Sequence, residues 1–291
     1  FVSANPHFCK SALSRCTPFD FLALVEAHGI PYHEKTAGQL FCDRSSKDIV
    51  AMLQAECDAA GVAIRTRTKV EIDALAASAA PRAGGPVRSE RGVHELSTPS
   101  GAIRCDALVI ATGGYSIPTL GATGFAFELA KVLGLEVRPT RAALVPFTLA
   151  PEQLARLEDL AGVSVEAEVQ CEGPAFREPL LFTHRGLSGP GVLQASTFWT
   201  PGDTVRVDLF PGIDLGARLR RARAEHPRRT LGAVLAAQLP RRVVQRWCEH
   251  FVRDGPVAEL GDAAIDEIVA ACQPWCVRPA GTEGWRTAEV T

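Results

Sequence analysis

The chain has 291 residues, 46% of them hydrophobic, enough for a full core and for two domains. A formal net charge of −2 gives no global field toward nucleic acid or a membrane. No apolar run approaches the roughly 20 residues that span a bilayer, and no secretion signal is visible, so the expected location is cytoplasmic. Nine cysteines are scattered apart from the C-x3-C pair Cys272 and Cys276, which offers no metal site, redox dithiol or disulfide scaffold.

In chain order, residues 1–28 read as two helical pieces, with Asn5-Pro6 and Thr17-Pro18 each offering a cap followed by a first-turn proline. Tyr32–Lys35 and Gln39–Cys42 read as a hairpin around Gly38. Asp48–Ala60 is amphipathic and closes at Gly61, and Val62–Arg65 reads as a parallel strand after it. Lys69–Leu75, Val93–Ser97 and Ala102–Cys105 read as antiparallel strands, with a Pro/Gly/Arg-rich loop over 79–91. Ala107–Ile110 is a short apolar run suited to a strand buried on both faces of a parallel sheet. It ends in Ala111-Thr112-Gly113-Gly114, where two glycines let the backbone turn and approach a ligand.

Thr123–Leu133 reads as a helix and Leu135–Val137 as a strand. Beyond Pro139 come short strands over 143–149, 163–171, 179–183 and 204–209, expected to form an inserted, mainly β domain. Ser188, with Pro190 behind it, reads as the cap of a helix over 192–197. Leu215–Ala271 reads as helical, broken at Pro227 and Pro240. Ten arginines between Arg218 and Arg253 face only Glu225 and Glu249 within that span, an excess that suits phosphate tracking. A solvated, salt-bridged face is the plainer reading of such a run.

The Asp106–Gly114 stretch, followed by Tyr115-Ser116-Ile117-Pro118, resembles the second FAD-contacting motif of two-dinucleotide-fold flavoproteins. More specifically, the chain resembles the BaiN/RdsA (YhiN-like) family of NAD(P)/FAD-dependent oxidoreductases over nearly its whole length. Further marks are Asn5–Phe8, His33–Lys35, Gly38–Cys42, Leu144–Pro146, Phe182–Pro190 and Gly281–Thr291.

The resemblance implies an α/β fold: a Rossmann-like FAD-binding domain over 1–138, with a β-meander at 69–105. A mainly β insert over 139–280 follows, with an arginine-rich helical part at 213–272, and 281–291 returns to the first domain. It implies FAD as cofactor and NAD(P)H as electron donor. The substrate is an activated C=C bond, either uridine in ribosomal RNA or a small-molecule enone of the bile-acid kind. Residues 218–253 would meet the RNA. A nucleic-acid-binding module without redox chemistry is the reading from another class.

The G-x-G-x-x-G loop and the glycine-rich segment that the family closes over the flavin are not found. The chain is therefore expected to be an internal fragment that alone binds FAD weakly or not at all and is inactive.

Thr112, Gly113 and Gly114 are the expected cofactor contacts. The resemblance adds the backbone of Val70 at the adenine end, and Glu283, Glu289 and Thr291 in the returning segment near the isoalloxazine. His184 reads either as a proton donor or as a histidine satisfied at a domain junction. Cys42 reads either as the acid for carbon protonation or as an inert buried thiol.

Overall fold

A computed structural model describes residues 5–35, 38–72 and 94–291. The chain divides into two compact units, residues 1–71 with 95–104 and residues 72–94 with 105–291. The expected loop over 79–91, residues 73–75 of the expected 69–75 strand and Val93 lie outside the described residues, and the described residues 69–72 form no strand.

The first unit contains helices α1 (Lys10–Arg15), α2 (Pro18–Ala27) and α3 (Lys47–Ala59). Its strands are β1 (Tyr32–Glu34) and β2 (Leu40–Cys42), then the ribbon of β3 (His94–Thr98) and β4 (Gly101–Cys105). Thr17 and Asp20 start α2 with a reciprocal capping box: Asp20 N donates to Thr17 Oγ1 at 3.2 Å and Thr17 N to Asp20 Oδ2 at 2.7 Å. The Asn5-Pro6 device does not start a helix at once, because Phe8 N and Lys10 N close local turns first. β1 and β2 pair antiparallel, Tyr32 opposite Cys42. A small core forms where Val25, Ile30 and Met52 are buried, with Tyr32, Cys42 and Ile49 packed against them.

The second unit is organised by a seven-stranded sheet. Its strands are β5 (Phe147–Thr148), β6 (Ser164–Gln170), β7 (Ala175–Thr183), β8 (Gly186–Ser188), β9 (Val205–Asp208), β10 (Trp275–Val277) and β11 (Gly281–Thr282). The order is β10-β9-β6-β7-β8-β5-β11, and every ladder is antiparallel. Along β6, Val165, Ala167 and Val169 are buried while Ser164, Glu166 and Glu168 are not, the period of a sheet with one covered face.

This unit also carries helices α4 (Phe125–Val132), α5 (Pro151–Arg156), α6 (Pro190–Ser196), α7 (Leu215–Glu225), α8 (Leu231–Leu235), α9 (Arg241–His250) and α10 (Asp262–Cys272). Trp247 of α9 is fully buried and meets Trp275 of β10 edge-on at 5.2 Å and Phe182 of β7 at 6.3 Å. Its indole N–H donates to Ala271 O at 3.1 Å, so the large ring is buried without stranding its polar atom.

The expected breaks at Pro227 and Pro240 fall between helices. Four further expectations are overturned. Val62–Arg65, Ala107–Ile110 and Leu135–Val137 form no strand, and Val62, Ile64, Val109 and Leu135 are exposed. A parallel strand needs a hydrogen-bonded neighbour and cover on its faces, and none of these runs pairs with any described strand. Ser188 ends β8 and does not cap α6. The N-cap is Gly189 at φ +92°, where a Cβ would lie 2.6 Å from Pro179 O. The described elements are thus mixed α/β with an antiparallel main sheet.

Candidate active site

Gly113 turns through the left-handed region at φ +68°, with open space where a Cβ would point. Gly114 is a glycine for a different reason. A Cβ there would lie 2.5 Å from Thr291 Oγ1, so its absence admits the far end of the chain. Thr291 Oγ1 accepts from Ser116 N at 3.2 Å and shares a hydrogen bond with Ser116 Oγ at 2.9 Å. Ile117 N donates to Trp285 O at 2.9 Å. Tyr115 stacks on Phe127 at 5.1 Å and tilts against Trp285 at 5.4 Å. Ile117 holds φ +56°, an unfavourable conformation for a β-branched residue that the surrounding contacts enforce.

Among the described residues, the main-chain N–H groups of Thr112, Gly113 and Gly114 have no intramolecular acceptor. Open space above Gly113 and three unspent donors suit an anionic or carbonyl group of a cofactor lying along this turn.

The Thr183–Gly186 turn joins β7 to β8. Thr183 Oγ1 accepts from Arg185 N at 3.3 Å and Gly186 N at 3.1 Å, and Arg185 O accepts from Leu149 N at 2.9 Å. A Cβ on Gly186 would strike Phe147 O. The turn is therefore held from both sides, with His184 exposed at its tip. His184 lines a groove of about 360 Å³ together with Thr183, Asp159 and Arg242.

The final segment ties the two turns together. The Glu283 carboxylate, 11% exposed, lies 3.0 Å from Arg286 Nη2 and 3.8 Å from Arg185 Nε, while Glu283 N donates to Pro146 O at 3.0 Å. Glu289 N donates to Leu144 O at 3.2 Å, and Val290 bridges Ala143. The exposed Glu289 side chain thus follows the same segment.

Of the expected site residues, Thr112, Gly113, Gly114, His184, Glu289 and Thr291 belong to the second unit, and Gly114 touches Thr291 directly. Cys42 and Val70 belong to the first. Cys42 packs against that unit's small core, and Val70 precedes Glu71, whose N–H donates to Ser97 O of β3 at 3.1 Å. Sequence reasoning quoted Tyr115, Ser116, Arg185 and Arg286 within its motifs but gave none of them a role. The Tyr-Ser step directly after the glycines was the available signal.

The arginine excess is partly neutralised from outside its span. Arg220 and Arg223 pair with Asp262 and Asp266 of α10, and Arg246 is ringed by Glu158, Asp159 and Glu249. The other seven of the ten arginines have no carboxylate partner among the described residues. Among those residues, no group of His, Cys, Asp and Glu could hold a metal ion, and no helix is long and apolar enough to cross a membrane.

Residues 141–290 match the family model described as HI0933-like protein barrel and H2TH domain. The chain is 46% identical over 293 residues to a ribosomal RNA dihydrouridine synthase of Escherichia coli K12, covering all of this chain and 70% of that protein. It is 40% identical over 294 residues to the Haemophilus influenzae protein of the same name, again covering 100% of this chain and 70% of the relative. A 3-dehydro-bile acid delta(4,6)-reductase of Clostridium scindens is 24% identical over 304 residues, covering 98% of this chain and 70% of that protein. The motif resemblance and these full-chain matches agree, and the chain belongs to the HI0933-like (BaiN/RdsA, YhiN-like) family.

Proposed function

We propose that this protein reduces uridine in ribosomal RNA to dihydrouridine, with FAD as cofactor and NAD(P)H as electron donor. The observation that carries the reading is the 46% identity across the whole chain to a relative named for that reaction. The geometry supports it: residues 281–291 join a turn of unspent main-chain donors to a rigid turn that carries a histidine.

FAD, when bound, supplies hydride chemistry. In this reading Thr112, Gly113 and Gly114 offer N–H groups to it, with Thr291 fixing their turn and Glu289 beside them. Val70 contributes its backbone to the adenine end, within the Rossmann-like FAD-binding domain that the resemblance implies for residues 1–138. His184 holds the proton for the second carbon of the reduced double bond. Cys42 is the alternative donor, and a Cys42→Ser variant with normal turnover removes it. The unpaired arginines of 218–253 meet the RNA backbone.

The second reading, reduction of a small-molecule enone, is favoured by the similarity to the bile-acid reductase. The deciding experiment is anaerobic titration of the full-length protein with NADH and NADPH, followed by unmodified ribosomal RNA or a steroidal enone. Bleaching of a flavin band and appearance of dihydrouridine are expected, whereas a colourless folded protein would overturn the redox reading. Oxidation of the reduced protein by the enone but not by RNA would establish the second reading. For His184→Gln, bleaching by the nicotinamide should be unchanged and reoxidation by RNA should slow by about 10²–10⁴.

A further inference from the structure

Two helix connections in the second unit run side by side. Residues 226–230 join α7 to α8, and residues 251–258 follow α9. Leu231 N donates to Gly255 O at 2.9 Å, Val257 N to Arg229 O at 2.8 Å and Ala258 N to Pro227 O at 3.1 Å, so the main chains fix one connection against the other. Thr230 and Pro256 form a bridge between them.

These connections hold Arg228, Arg229 and Arg253 against a single carboxylate, Asp254. Asp254 Oδ1 is occupied by the N–H groups of Gly232 and Gly255, both at 2.9 Å. Arg229 gives one donor to Ala233 O at 3.2 Å. Arg228 and Arg253 are exposed and, among the described residues, have neither a side-chain partner nor an acceptor for their main-chain N–H.

Two other unpaired arginines, Arg241 and Arg242, stand at the start of α9. Arg242 shares its groove with Asp159 and Glu249, two of the carboxylates that already surround Arg246. Arg241 lines a neighbouring groove with Glu249 and Asp254. Arg253 likewise lines a groove with Asp254, Glu259 and Glu267, so charge balance does not separate the two regions; the mutually hydrogen-bonded main chains of the paired connections do. Phosphate oxygens are gripped by guanidinium groups together with main-chain N–H donors, and both are present here, unspent, on a backbone whose position is fixed.

We propose that the paired connections bearing Arg228 and Arg253 are the RNA-backbone contact of this protein, while Arg220, Arg223 and Arg246 hold the helices in place. This rests on the ribosomal RNA reading above and narrows it from ten arginines to one edge of the helical part.

The test is salt-dependent binding of a labelled ribosomal RNA fragment to the full-length protein, between about 50 and 200 mM KCl. Each lost phosphate contact lowers the log–log slope by about 0.7–0.9. Arg228→Gln/Arg253→Gln should therefore flatten it by about 1.4–1.8, with nicotinamide-driven flavin bleaching and the thermal midpoint unchanged. Arg241→Gln/Arg242→Gln should flatten it by less than half as much. An unchanged slope in the first double variant, or the larger loss in the second, overturns the proposal even when the wild type forms dihydrouridine. A wild-type protein that binds RNA with the expected slope yet forms no dihydrouridine overturns the functional reading instead.

Discussion

Two stretches of this chain look like buried strands in the sequence, and only one becomes a strand. Ser164–Gln170 alternates apolar and polar residues and forms β6, hydrogen-bonded to β7 on one side and β9 on the other. Ala107–Ile110 is the more continuously apolar run, yet it lies outside any ladder, with Val109 83% exposed. An alternating strand asks for one covered face, which α6 and the neighbouring core residues supply to β6. A continuously apolar strand asks for cover on both faces and partners at its edges. Hydrophobicity therefore marks what a segment requires, and the ladder decides whether it folds.

The largest expected effect tests the covered side of this contrast. Val169 is fully buried in the main core, so Val169→Asp places a carboxylate where nothing can pair with it. We expect a loss of more than about 4 kcal/mol, read as a collapsed urea midpoint. Retention of most stability would mean that the β6 face is open to water.

What could be read from the sequence follows the same division. The Thr17/Asp20 cap, the helix over Lys47–Ala59 and the helical breaks at Pro227 and Pro240 were legible because their signals are local. β8 was missed because Gly186-Leu187-Ser188 has no strand pattern of its own and is held by Phe147 on one side and Phe182 on the other. At the site, a turn at Gly113-Gly114 was legible, whereas the reason for glycine at 114 was not. It arises from Thr291, 177 residues away in the chain. Likewise, the partners of Arg220, Arg223 and Arg246 lie partly outside the arginine-rich span, so counting charge within it overstated the free excess.

That long-range contact gives the next prediction. Gly114→Ala forces its new methyl group against Thr291 Oγ1, 2.5 Å from the added carbon. Overpacking of this kind costs about 1–3 kcal/mol, and here it should also dislodge the Ser116–Thr291 hydrogen bonds. Gly114→Ala/Thr291→Gly, which removes the Thr291 Cβ at 2.7 Å as well as its Oγ1, should recover most of that loss. A double variant no more stable than Gly114→Ala would show that the strain lies elsewhere in the turn.

The buried thiols sharpen the contrast on the covered side. Burial, reinforced by Cys248 and Asp208, pushes the Cys272 thiol up to about 12, and burial with Asp203 and Glu172 does the same to Cys171. A thiol with a raised folded-state pKa keeps its full contribution below its ordinary value near 9 and loses it as the pH climbs toward 12. Stability should therefore fall across that window, and Cys171→Ala/Cys272→Ala should flatten the fall. The exposed Cys16 and Cys276 should alkylate at pH 8 while Cys171 and Cys272 stay unmodified.

The smallest expected effect is the other half of the strand comparison. Val109→Asp puts the same charge into the more apolar run, but at a side chain already facing water. Surface substitutions of this kind stay within about 0.5 kcal/mol, so the urea midpoint should barely move. The same chemical change would then differ by several kcal/mol between two strand-like sequences, with pairing as the cause. A loss above about 2 kcal/mol would instead show Val109 buried within a ladder and would restore the parallel strand that its sequence predicts.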